Sequence, residues 1–148
     1  MEGLLSGEFK SLQKRGLTED TCRKFGYQVG RDKNDTLVQI APYYDDAGVM
    51  VAQKIRYANK AFKFIGETKR AVLFGSNLWG NGKKLVITEG EIDAMSVSQA
   101  QNNKWPVVSI PTGAQGAKKA LAKCLDYLNG FEEVILMFDQ DEPGRKAA

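Results

Sequence analysis

Histidine is absent from these 148 residues, and cysteine is limited to Cys22 and Cys124. The first absence excludes imidazole catalysis, and both together exclude a four-ligand structural zinc site of the usual Cys/His kind. Two isolated cysteines in a cytosolic chain are expected to be core residues rather than a disulfide. Long apolar runs are missing too: none approaches the roughly 20 residues of a membrane span. Met1 to Lys10 shows no signal-peptide pattern, so the expected location is the cytoplasm, with no membrane partner. Net charge of one sign is small, at +3. Any electrostatic partner must therefore be met by a local concentration of charge.

An apolar content of 43% is enough for a globular core. Leu17 to Gly26 reads as a short helix, with Thr18 as N-cap, Glu19 and Asp20 at the positive end and Gly26 at the stop. Leu17 and Cys22 occupy the two staple positions. Strand signals follow at Thr36–Ala41, Val49–Arg56 and Ala61–Ile65, separated by Asp45-Asp46-Ala47-Gly48 and Ala58-Asn59-Lys60, which predicts an antiparallel meander. Beyond Gly82 the pattern changes to alternating strands and helices. Strands at Leu85–Thr88, Val107–Ile110 and Val134–Phe138 are separated by a helix over Glu91–Gln101 and a longer one carrying Ala117, Leu121, Cys124, Leu125 and Leu128. Pro143 fits the first turn of one more helix. This alternation predicts βαβ units and a parallel sheet. The chain thus divides into a small α+β lobe with an antiparallel sheet, residues 1–80, and an α/β domain, residues 81–148, expected to be incomplete at its C-terminal end.

Two acidic clusters stand at the ends of apolar strand signals: Glu89, Glu91 and Asp93 after Leu85–Thr88, and Asp139 with Asp141 after Val134–Phe138. Like charges about 4 Å apart cost on the order of 4 kcal/mol at an effective dielectric of about 20. Divalent cations remove that cost, and an oxygen-only donor set selects hard ions, Mg2+ or Mn2+. Acids in first helical turns are also ordinary dipole partners. Their repetition at two strand ends favours a ligand site, because open α/β sheets bind ligands just beyond the carboxyl ends of their strands.

The positive charge is concentrated between Val51 and Arg70, where Lys54, Arg56, Lys60, Lys63, Lys69 and Arg70 face a single acid, Glu67. Alternation of Gln53, Ile55 and Tyr57 with Lys54 and Arg56, and of Phe62 and Phe64 with Lys63, predicts a sheet with one apolar and one cationic face.

Glu89-Gly90-Glu91-Ile92-Asp93, followed about 45 residues later by Phe138-Asp139-Gln140-Asp141-Glu142-Pro143-Gly144-Arg145-Lys146-Ala147, resembles the Toprim domain of primases, shared with topoisomerases and some nucleases. Gln53-Lys54-Ile55-Arg56, Lys60-Ala61-Phe62-Lys63, Leu73-Phe74-Gly75-Ser76-Asn77-Leu78-Trp79 and Ser109-Ile110-Pro111-Thr112-Gly113-Ala114 are similar to the primase portion of phage primase-helicases. The resemblance runs from Leu12 to the end. Pro143 departs from the alanine common there, and an N-terminal zinc module, a helicase half and a later Toprim segment are not in the sequence.

The resemblance implies a DNA primase, a nucleotidyltransferase making short RNA primers from ribonucleoside triphosphates on single-stranded DNA. It implies metal held by Asp139 and Asp141, with Glu91 and Asp93 supporting, and metal binding or general-base work for Glu89. Lys54, Arg56, Lys60 and Lys63 would hold nucleotide and template, with Lys118 and Lys119 as weaker candidates. Gly90 admits two explanations, phosphate approach or a tight turn. Implied partners are a helicase domain in the parent chain and replisome proteins. The competing classes are a Toprim nuclease or topoisomerase, the latter needing a tyrosine with no basis for choice among Tyr27, Tyr43, Tyr44, Tyr57 and Tyr127, and a non-catalytic module that binds single-stranded DNA.

Overall fold

The computed structural model describes residues 4–45, 47–59, 61–67, 72–111 and 117–138. It divides into two compact units, residues 1–71 and 72–148.

The first unit holds a five-stranded antiparallel sheet whose spatial order is its chain order: β1 (Gly7–Glu8), β2 (Gln28–Arg31), β3 (Leu37–Tyr44), β4 (Met50–Arg56) and β5 (Phe62–Gly66). The three strong strand signals became β3, β4 and β5. The short β1 and β2 went unseen, because two and four residues, with Gly7 and Gly30 among them, carry little periodicity. Helix α1 (Glu19–Phe25) begins as anticipated: the Thr21 N–H donates to Thr18 Oγ1 at 3.2 Å, a cap worth about 1 kcal/mol. Gly26 closes it with φ +74°, and Leu17 and Cys22 are both buried. Gly66 is required at the end of β5, where φ is +88° and a Cβ would lie 2.5 Å from the Val51 carbonyl oxygen.

Strand register decides what each face carries, because partnered residues in an antiparallel pair share a face. Val38, Ile40, Ile55 and Ile65 form the apolar cluster of one face, each contributing roughly 1.5–3 kcal/mol by burial. Lys63 pairs with Ile55 and so lies on that same face. On the other face Lys54 pairs with Phe64, and Arg56 with Phe62. The expected single cationic face is therefore corrected: alternation within each strand was read properly, but the register between β4 and β5 sets cation beside aromatic.

The second unit contains a parallel sheet ordered β7–β6–β8, made of β6 (Gly82–Thr88), β7 (Val107–Ser109) and β8 (Phe131–Met137). Helix α2 (Glu91–Ala100) connects β6 to β7. The connection to β8 was expected to be one long helix, and instead contains α3 (Ala117–Lys123) and α4 (Leu125–Leu128). Cys124 leaves helical geometry at φ −118°, ψ 22°, placing its side chain in the core and leaving Leu125 59% exposed rather than buried. Leu85, Ile87, Val108, Ile110 and Phe131 form the core with Cys124. The segment before β6 clips onto β7: Phe74 and Ser109 exchange backbone hydrogen bonds, and the Trp79 indole N–H donates to the Val107 carbonyl at 3.0 Å. Both cysteines are buried free thiols. No helix among the described residues is long and apolar enough to cross a membrane.

Candidate nucleotidyl-transfer site

The first acidic cluster spans the junction of β6 and α2, with Glu89 in the connecting turn and Glu91 and Asp93 in the first turn of α2. The buried Thr88 hydroxyl donates to the Gly90 carbonyl at 3.0 Å, and the Ala94 N–H donates to the same carbonyl at 3.1 Å. These two bonds pin the turn from the strand side and the helix side. Gly90 has φ −129°, open to any residue, and a Cβ there would make ordinary contact with Asp93 Oδ2 at 3.5 Å. A tight turn therefore does not explain the glycine.

The acids diverge in environment. Glu91 is 1% exposed, Glu89 is half-buried and Asp93 is exposed. A carboxylate as deeply buried as Glu91 must be met by hydrogen bonds, a positive charge or a cation. Asp93 lines a cavity of about 450 Å³ with Thr88, Ser96, Val97, Leu136, Met137 and Phe138. That cavity opens at the carboxyl ends of β6 and β8, where Thr88 and Met137 are register partners. Asp139 and Asp141, next in sequence, lie outside the described residues. Among those described, no group of three or more His, Cys, Asp or Glu side chains is placed to hold one ion.

In the first unit, Lys54 is 6% exposed, with Nζ 4.8 Å from the Phe62 ring centroid and 5.8 Å from that of Phe64. Arg56 is half-buried beside it. Lys63, on the opposite face, is close enough to Asp32 for its charge to help lower that carboxyl's pKa. Lys60 lies outside the described residues; Lys119 is exposed, and the Lys118 side chain is not described. Thr88 and Phe62 were the residues missed as candidates. Thr88 reads as an ordinary strand residue until its hydroxyl is seen on Gly90, and Phe62 as an apolar-face residue until the register is known. Tyr27 and Tyr43 are each 1% exposed, and burial pushes the Tyr44 and Tyr127 phenols up, the reverse of what a phenolate nucleophile needs.

An antiparallel α+β lobe followed by a parallel sheet with an acidic strand-to-helix turn defines a primase-type Toprim protein. Two family descriptions match in that order: "Bacteriophage T7 DNA helicase/primase, N-terminal a+b fold" over residues 7–66, and "Toprim-like" over residues 86–148. The chain is 46% identical over 142 residues to the DNA helicase/primase of Enterobacteria phage T3, covering 96% of this chain and 25% of that protein. It superposes on the crystal structure of the primase fragment of the bacteriophage T7 primase-helicase with a TM-score of 0.91 at 46% identity, covering 95% of this chain and 59% of that one. A second solved structure, of the T7 lagging-strand DNA polymerase interacting with primase domains bound to an RNA/DNA hybrid and dTTP, matches with a TM-score of 0.90 at 46% identity, covering 95% of this chain and 71% of that one. The chain belongs to the T7-type phage helicase/primase family and matches its primase portion. It spans about a quarter of the length of the T3 relative.

Proposed function

We propose that this chain catalyses DNA-templated synthesis of short RNA primers by metal-dependent nucleotidyl transfer, as the primase portion of a primase-helicase. The observation that supports the reading is the register of β6 and β8: Thr88 and Met137 are partners across neighbouring parallel strands, so the two strands that precede the acidic segments in the sequence end at the same edge of the sheet. Adjacent strands are only about 4.8 Å apart.

The donor set fits Mg2+ or Mn2+. Carboxylates without imidazole or thiolate suit a hard divalent ion, and Asp93 lines a cavity at the carboxyl ends of β6 and β8 with room for one and its waters. Asp139 and Asp141 would hold it together with Glu89, Glu91 and Asp93. When bound, the metal supplies charge neutralisation at the attacking 3′-oxygen and the leaving pyrophosphate. Glu89 adds a metal ligand or a base for the hydroxyl proton. Gly90 adds no side chain between the acids, which keeps the approach of a triphosphate open. Lys54, Arg56 and Lys60 serve ribonucleoside triphosphates and single-stranded DNA template, by phosphate contact or by shaping the surface that makes it, whereas the β4–β5 register sets Lys63 on the opposite face, toward Asp32. A helicase domain in the same polypeptide and replisome proteins complete the set of partners.

The test is primer synthesis by the full-length protein on single-stranded DNA with NTPs and Mg2+. Glu89→Ala and Asp139→Ala should each abolish product while leaving the circular dichroism spectrum unchanged. Primer yield at the parental level from both variants would overturn the reading.

A further inference from the structure

Phe62 is 57% exposed on the face of the antiparallel sheet that also carries Lys54 and Arg56. A solitary exposed aromatic needs no explanation; this one has unusual neighbours. Arg56 is its register partner on β4, and the Lys54 ammonium lies 4.8 Å from its ring centroid. The same ammonium reaches Phe64, whose ring packs 5.1 Å from that of Tyr43. Lys54 is thus a buried cation fixing an aromatic ring from within the sheet, while more than half of the outer ring residue faces solvent.

A nucleic-acid single strand presents flat bases at its edge and phosphates along its backbone, and proteins take it with aromatic platforms beside cations. We propose that Phe62 is a base-stacking residue for the single-stranded template, with Arg56 on the adjacent phosphate and Lys54 as a positioning residue acting through the Phe62 ring. The proposal rests on the primase reading for its choice of strand, and it assigns Lys54 an indirect role. Direct phosphate contact would require Lys54 to be accessible, whereas it is 6% exposed.

Binding of a fluorescently labelled oligodeoxythymidylate by the full chain, measured across a range of salt concentrations, tests it. Phe62→Leu keeps apolar bulk and loses the ring; it should weaken binding roughly five- to a hundred-fold, the range for one stacked base, without changing the slope of log K against log salt. Arg56→Ala should reduce that slope by about 0.7, the value for one phosphate on a single strand. Phe62→Trp should bind as the parent does and show an emission component, absent from the parent, that the oligonucleotide quenches. Lys54→Met should weaken binding, with Lys54→Arg restoring it by keeping a cation at the ring. Parental affinity in Phe62→Leu, an unquenched tryptophan in Phe62→Trp, or equal quenching by ATP alone would overturn the proposal. These readouts need no turnover, so a failure of the primase reading would appear in Glu89→Ala and a failure of this one in Phe62→Leu.

Discussion

The two units carry their candidate site residues in different parts of a sheet, and that difference governs how a mutation should act. In the second unit Glu89, Glu91 and Asp93 stand just past the end of a parallel strand, where the turn into α2 is braced by Thr88 and by the first backbone bond of the helix. Their placement follows from topology, since parallel strands linked by helices send successive turns to the same edge. In the first unit the cations stand on the faces of antiparallel strands. There a one-residue change of register would exchange the partners of every side chain, and what each lysine can reach depends on which side of the sheet it occupies.

The sharpest way to break this contrast is at Glu89. Glu89→Gln keeps size and removes charge; primer synthesis should fall by more than about 100-fold, beyond the range usual for groups that only orient metal ligands, with template affinity retained. Measured on the first unit, Arg56→Ala should instead raise the template concentration needed for half-maximal synthesis. If Glu89→Gln were repaired by more template, the acids would be binding groups and the contrast would vanish.

Thr88→Val probes the brace behind that turn. Removing one buried donor should cost about 1 kcal/mol in urea unfolding and reduce primer synthesis by about 10–100-fold, the penalty for a group that positions ligands. Thr88→Ser retains the hydroxyl and should recover most of the activity. Recovery equal in Val and Ser variants would show that the hydroxyl does not hold the turn.

Much of this was legible from the residues. Thr18, Gly26 and the Asp45 turn announce their elements through local hydrogen bonds, which need no knowledge of the rest of the fold. The acidic turn was legible for the topological reason just given. Faces were harder. Lys63 and Lys54 look equivalent in a strand pattern, and only the β4–β5 register separates them, pairing Ile55 with Lys63 and Lys54 with Phe64. The break at Cys124 was hidden because Leu121, Cys124, Leu125 and Leu128 satisfy helical spacing on their own; what ends α3 is the burial of Cys124 in the core, a tertiary cause.

That separation of the two lysines is itself testable. Lys54→Met should lower single-strand affinity by about tenfold or more, since the ring it steadies is worth about 1–3 kcal/mol per stacked base. Lys63→Met, on the opposite face, should change affinity by less than about threefold, the scale of a screened surface charge. Equal losses would mean that both lysines meet the same strand, contrary to the register.

Lys63 should reveal itself instead in acid. The Asp32 carboxyl is held below the ordinary carboxylate range, first by the Thr36 N–H, with further lowering from the Asn34 N–H, the Tyr57 hydroxyl at 3.2 Å and the Lys63 charge, while partial desolvation opposes them. A folded-state pKa below the unfolded value of about 3.9 means that the ionised carboxylate is favoured by folding. Its contribution is complete above that unfolded value and is lost as pH falls through the folded one. The stability gap between the parent and Asp32→Ala should therefore be flat from neutral pH to about 5 and narrow below about 4, read by urea unfolding at each pH. Lys63→Met should move the narrowing to slightly higher pH by removing one of the lowering charges. A gap that widened on acidification would reverse the sign of the Asp32 shift and with it the assignment of Lys63 to this turn.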